Sequence, residues 1–238
     1  MSEWRFRPAR DHGLTLAERV QSYDRERGLG SLITSGAWRL LCRLYLRVVH
    51  RLSITGMEHL PPPPFVIVAN HSSHLDALTL ASSLPWSSGR KAFALAAGDT
   101  FFTSTPASVF AAYAVNALPV WRKKTKPQDL DDMRRRLTDD GGVLILFPEG
   151  TRTRDGTMAR FRPGVGSLVA GRPIPVVPCW IEGAFAAWPA TAKFPRPGPL
   201  RLIIGEPLLF TETAQDRAGM VAIAEACEAA VRGLAPKR

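Results

Sequence analysis

Residues 65–69 read FVIVA and residues 143–147 read VLILF, two runs with no polar position between the apolar ones. A strand with one wet face alternates in polarity, whereas an unbroken apolar run suits a strand covered on both faces, as in a parallel sheet between helices. Shorter strand-like runs stand at 53–55, 92–96, 118–121, 174–180 and 200–204. Helical segments fall between them near 74–83, 106–115, 128–139 and 164–170, and a last one spans 214–234. This alternation predicts an α/β fold with a mostly parallel sheet of about seven strands flanked by helices. Four prolines at 61–64 set an extended entry into the first long strand, because proline locks its own φ and pushes its predecessor out of the helical region.

Residues 1–52 differ in texture and read as an N-terminal helical segment before an α/β domain at 53–238. Over 31–52 the apolar residues Leu40, Leu41, Leu44, Tyr45, Val48, Val49 and Leu52 recur at helical spacing, while Arg39, Arg43, Arg47 and Arg51 step by four. Such an amphipathic helix either packs on the domain with its arginine edge solvated, or lies in a membrane interface with its arginines toward anionic headgroups. The long uncharged run at 100–121 is interrupted by Thr100, Thr103, Ser104, Thr105, Ser108 and Asn116 and by Pro106 and Pro119. It reads as a buried helix followed by a strand, so membrane contact is expected to be peripheral.

The net charge is +10, from 31 Lys+Arg against 21 Asp+Glu. Most of the cations are arginine, which suits bidentate phosphate contacts, and the balance points to anionic partners. The basic cluster Arg122, Lys123, Lys124 and Lys126 reads either as a solvated loop or as a contact for a phosphorylated metabolite or an acidic carrier protein. Basic residues do not interleave with aromatics as in a nucleic-acid module, so no nucleic-acid partner is expected. Three scattered cysteines, Cys42, Cys179 and Cys227, offer no disulfide framework, and the charged N-terminus argues against a secretory signal; a cytoplasmic setting is expected.

In α/β sheets ligands bind at strand ends, and both long apolar runs deliver polar residues there. The first is followed by NHSSHLD, residues 70–76. His71 and Asp76 are five apart, about 140° around a regular helix, so they meet only if His71 stays in the loop and the helix begins after it, capped by Ser72 or Ser73. Asp76 then orients one ring nitrogen and leaves the other to take a proton. A metal set of His71, His74 and Asp76 is the weaker reading, since a fuller ligand set is not evident. His74 reads as exposed or structural.

The second run delivers FPEGTR, residues 147–152. Gly150 permits close backbone approach, Thr151 offers a hydroxyl and an amide, and Arg152 can hold two phosphate oxygens. Glu149 would fix that arginine or accept from a substrate hydroxyl.

NHSSHLD and FPEGTR, in that order, resemble the first and third motifs of the glycerolipid acyltransferase family, of the lysophosphatidate acyltransferase type. Residues 120–122 resemble the motif that places an arginine, here Arg122, near the acceptor phosphate, and IPVVPCWIEG from residue 174 resembles a later proline-containing strand. FRPG, comprising Phe161, Arg162, Pro163 and Gly164, stands where the family often has lysine second, so Arg162 is a departure that retains the charge. The resemblance covers about residues 60–205.

It implies an O-acyltransferase in which His71, polarised by Asp76, activates the hydroxyl of a lysophospholipid, most readily 1-acylglycerol 3-phosphate, for attack on an acyl thioester. Arg122, Glu149 to Arg152 and the FRPG segment would bind substrate, with oxyanion donors among the amides near Gly150 or residues 163–165. No metal or redox cofactor is expected; acyl-CoA or acyl-ACP (acyl carrier protein) is the co-substrate. An anionic membrane surface is the expected partner, at the inner face of the cell membrane. The alternatives are another acceptor (a lyso-aminolipid, glycerol 3-phosphate or a specialised metabolite), or a non-catalytic protein that binds lipid or acyl carrier.

Overall fold

The computed structural model describes residues 9–22, 25–26, 28–97, 105–113, 116–120 and 127–236. Its strands are β1 (Ser53–Thr55), β2 (Phe65–Ala69), β3 (Ala92–Ala97), β4 (Ala117–Val120), β5 (Val143–Leu146), β6 (Val176–Glu182) and β7 (Arg201–Ile204). They form one seven-stranded sheet in the order β1-β7-β6-β2-β5-β3-β4, as the alternation predicts. Every pairing is parallel except β6 with β7, which is antiparallel.

β2 lies at the centre with all five residues buried. Phe65, Ile67 and Ala69 enter the core on one face, and Val66 and Val68 the core on the other. The unbroken apolar run follows from this two-sided burial, and each large side chain so buried contributes about 1.5–3 kcal/mol.

The helices are α1 (Leu16–Gln21), α2 (Leu29–Val48), α3 (Asp76–Ser83), α4 (Trp86–Gly89), α5 (Thr105–Tyr113), α6 (Pro127–Thr138), α7 (Gly164–Val169), α8 (Ala184–Ala187) and α9 (Arg217–Gly233). α1 carries a capping box, with Thr15 accepting from the Glu18 amide and the Glu18 side chain reaching back to Thr15. α7 and α9 approach closely: a Cβ built on Gly166 would stand 2.5 Å from the Met220 Cα.

α2 corrects the expected disposition of arginines. Arg39 and Arg43 point inward rather than toward solvent or headgroups. Arg39 donates to the carbonyls of Ala81 and Leu84 at 3.2 and 3.0 Å, and Arg43 to those of Ser82 and Leu84 at 2.9 and 2.8 Å. The last carbonyls of α3 have no partner within their own helix and sit at its negative end, so two cations from a neighbouring helix satisfy them. The leucine stripe therefore faces out: Leu40, Leu41, Leu44 and Val48 are each more than half exposed, while Leu46 is wholly buried and Tyr45 and Leu52 pack on the core. The helix ends at Val48 rather than running to 52, and Arg51 takes a positive φ before β1 begins. Among the described residues no helix is long and apolar enough to cross a membrane.

Candidate active site

The two polar segments meet because their strands are neighbours in register. β2 pairs β5 with Phe65 opposite Val143 and Val68 opposite Leu146, so the chain leaves both strands at the same end of the sheet. Asn70 fastens the first exit to β6, its amide donating to the Ile181 carbonyl at 3.0 Å and its carbonyl accepting from the Ile181 amide at 2.8 Å. Residue type alone assigns Asn70 no role, and its place directly after an apolar run is the signal the sequence carries.

His71 stands in the loop, and its Nδ1 lies 3.0 Å from Asp76 Oδ2. The same oxygen accepts the Ser72 and Ser73 amides, each at 2.7 Å, and the Asp76 side chain is fully buried. Neither serine caps α3. The helix begins at Asp76 itself, behind Leu75 without a side-chain cap, and the aspartate organises the loop that precedes it. Phe147 leaves β5 and stacks on the imidazole, with ring centroids 4.1 Å apart and planes 16° from parallel. With Nδ1–H donating to Asp76 and one face covered, Nε2 carries the lone pair that can accept a proton. The side chain keeps 21% of its surface open.

Glu149 corrects its expected role. The carboxylate is turned inward and only 3% exposed, with one oxygen accepting the His71 amide at 2.6 Å and the other the Ala159 amide at 2.8 Å. It fixes neither Arg152 nor an exposed hydroxyl; it fixes the backbone of His71. Burial pushes its pKa up, against the two amide hydrogen bonds, which favour the charged form. The Thr153 amide donates to the His71 carbonyl at 2.9 Å, so the turn after β5 holds His71 from both sides.

Gly150 has φ +76, a region costly to residues with a Cβ, and its amide donates to the Phe147 carbonyl at 3.0 Å. That amide is thus committed, which removes it from the expected oxyanion donors. A Cβ there would lie 3.1 Å from Arg162 Nε, so the exposed Arg162 side chain runs over this turn and joins FRPG to it. Thr151 is exposed, and Arg152 Nη1 lies against the His74 ring, 2.8 Å from Nε2.

Phe161 corrects its assignment to substrate: its ring belongs to the core, and its amide donates to Glu228 at 2.8 Å. Pro163 precedes α7, and Gly164 opens it on the exposed side. Arg122, with Lys123, Lys124 and Lys126, lies outside the described residues. His74 turns to Arg152 rather than joining His71 and Asp76, and among the described residues no three of His, Cys, Asp and Glu gather as a metal set.

A mostly parallel α/β sheet that carries a histidine–carboxylate pair at its central strand's end, beside an arginine-bearing turn, defines an α/β protein whose candidate site lies where such sheets bind ligands. Comparison with known proteins narrows this: the family model described as Acyltransferase matches residues 51–182, and the chain belongs to that family. It is 30% identical over 169 residues to the chloroplastic 1-acyl-sn-glycerol-3-phosphate acyltransferase BAT2 of Brassica napus, covering 67% of this chain and 45% of that one. To the human 1-acyl-sn-glycerol-3-phosphate acyltransferase alpha it is 29% identical over 131 residues, covering 54% and 44%. The chain thus spans about half the length of the curated relatives it matches. The crystal structure of PlsC, the 1-acyl-sn-glycerophosphate acyltransferase of Thermotoga maritima, shares the fold with TM-score 0.66 at 22% identity, covering 85% of this chain and 78% of that one.

Proposed function

We propose that this protein transfers a fatty acyl group from a thioester of coenzyme A or acyl carrier protein to the free hydroxyl of 1-acylglycerol 3-phosphate. The observation that carries the reading is the His71–Asp76 pair, with Arg152 on the turn that holds the His71 peptide. His71 Nε2 takes the hydroxyl proton as the oxygen attacks the thioester carbonyl. The tetrahedral intermediate collapses with cleavage of the C–S bond, and the imidazolium returns its proton to the leaving sulfur. Asp76 keeps its hydrogen bond to Nδ1–H and stabilises the imidazolium. Arg152 and Arg162 hold the acceptor phosphate so that its hydroxyl lies beside the imidazole, and Arg122 is assigned the same task from its motif.

The outward face of α2 supports a lipid-surface partner. Leu29, Ile33, Leu40, Leu41, Leu44 and Val48 are all more than half exposed along a helix about 30 Å long, with Trp86 exposed beside it. Such a face lies in an interface rather than across it, and the protein's positive charge favours an anionic leaflet at the inner side of the cell membrane.

The test is thiol release from palmitoyl-coenzyme A with 1-acylglycerol 3-phosphate presented in anionic vesicles, the product identified by mass. Turnover that His71→Ala abolishes and Arg152→Ala weakens through acceptor KM is expected. Silence with both coenzyme A and carrier-protein donors, across phosphate-bearing and phosphate-free acceptors, would overturn the reading in favour of a binding protein.

A further inference from the structure

His74 lies three residues beyond the base, and the mechanism above does not use it. Its backbone is fastened, the amide donating to the Trp188 carbonyl at 3.3 Å, an oxygen that also accepts the Ser73 hydroxyl at 2.7 Å. Its ring sits 4.9 Å from the Trp188 ring, tilted 39°, and Trp188 is itself held by its indole N–H on the Ala192 carbonyl at 3.0 Å. On its other side the imidazole meets Arg152: Nη1 is 2.8 Å from Nε2 and also contacts Nδ1. A guanidinium is always charged and only donates, so a ring nitrogen facing it has to be the unprotonated acceptor.

The surroundings favour that form. Burial lowers the His74 pKa first and the Arg152 charge second, with His71 acting the same way, while the Ala190 backbone and Asp76 act against them. A guanidinium set against the ring nitrogens favours the neutral imidazole, whose lone pair can face Arg152.

We propose that His74 is a positioning residue that holds the Arg152 guanidinium at the mouth of the site, so that the preference for an acceptor bearing a phosphate monoester depends on the His74–Trp188 support. The proposal rests on the acyltransferase reading, and it acts through Arg152 rather than on the reacting atoms. A long arginine side chain loses several freely rotating torsions when it binds; an imidazole that already holds it lowers that entropic cost, which appears in acceptor affinity rather than in chemistry.

The experiment compares unmutated protein, His74→Ala, His74→Gln, Arg152→Ala and the His74→Ala/Arg152→Ala double variant. Acceptor KM, donor KM and kcat are measured with 1-acylglycerol 3-phosphate and with monoacylglycerol. Equilibrium binding of 1-acylglycerol 3-phosphate is measured beside them, so that the result does not hang on turnover. His74→Ala is expected to raise acceptor KM and Kd about tenfold while leaving donor KM, and kcat at saturating acceptor, within about twofold. Turnover of the phosphate-free acceptor should be unchanged. His74→Gln, whose amide oxygen can still accept from the guanidinium, should restore most of the affinity, and the double variant should be no worse than Arg152→Ala alone. An unchanged acceptor KM and Kd in His74→Ala, or an equal loss on both acceptors, overturns the proposal. If Arg152→Ala weakens phosphate binding and His74→Ala does not, the functional reading stands and this inference alone falls; if Arg152→Ala also has no effect, the phosphate site has been misassigned and both fall.

Discussion

Removing the Glu149 side chain separates a positioning role from a substrate-binding one. Glu149→Ala leaves the amides of His71 and Ala159 without their acceptors, at sites now joined at 2.6 and 2.8 Å. Each unsatisfied amide costs about 1–3 kcal/mol, and relief from burying a carboxylate offsets part of the sum, so a loss of about 2–4 kcal/mol is expected. Glu149→Gln keeps one accepting oxygen and turns an NH₂ toward the second amide, for a loss of about 1–2 kcal/mol. Urea denaturation measures both. Because burial raises the folded pKa of Glu149 above its ordinary 4.5, the folded state keeps the proton to higher pH than the unfolded one. Its contribution is therefore full below pH 4.5 and is lost as pH rises through the folded value, so the advantage over Glu149→Gln shrinks as pH rises through that window. In kinetics kcat should fall at least about tenfold, since the His71 peptide loses one of its two holds. A Glu149→Ala protein of unaltered stability that loses only acceptor affinity would refute this reasoning and return Glu149 to the substrate.

Three further outcomes follow from the geometry. Asp76→Asn should lower kcat by about 10²–10⁴ with little change in acceptor KM, measured by steady-state kinetics, because the buried carboxylate sets the tautomer of His71; retention within tenfold would deny it that role. His50 is buried between the Gly198 carbonyl and the Tyr45 hydroxyl, each 3.1 Å away, and burial lowers its pKa. The unfolded chain takes the proton first, so stability is full above pH 6.5 and falls with pH below it, a slope that His50→Gln should flatten in pH-dependent denaturation. Gly166→Ala should cost about 1–3 kcal/mol in thermal melts despite alanine's better helix propensity, because the new methyl meets the Met220 backbone; an unchanged melting temperature would mean that α7 and α9 can part freely.

The sheet was legible in the residues because strand signals are local. Two unbroken apolar runs demanded burial on both faces, and the sheet puts them side by side at its centre. The antiparallel β7 was less legible, since a short apolar run looks the same in either direction. The spacing of His71 and Asp76 set only the condition for their meeting, a histidine left in the loop ahead of the helix, and the fold meets that condition. α3 nonetheless starts later than expected, as Asp76 spends its carboxylate on loop amides that a pattern of residue types does not reveal.

By itself, then, the sequence determined the layered architecture, the strand ends at which polar residues collect and the neighbouring His71 and Asp76 as a candidate pair, all features written within a few neighbouring residues. Tertiary structure decided the rest. Glu149 binds amides 78 and 10 residues away, and Arg39 and Arg43 seek carbonyls about 40 residues on, partners that exist only once the sheet has brought the segments together. A charged side chain goes where unsatisfied polar groups need it, and where those groups lie is set by packing rather than by the periodicity of its own helix.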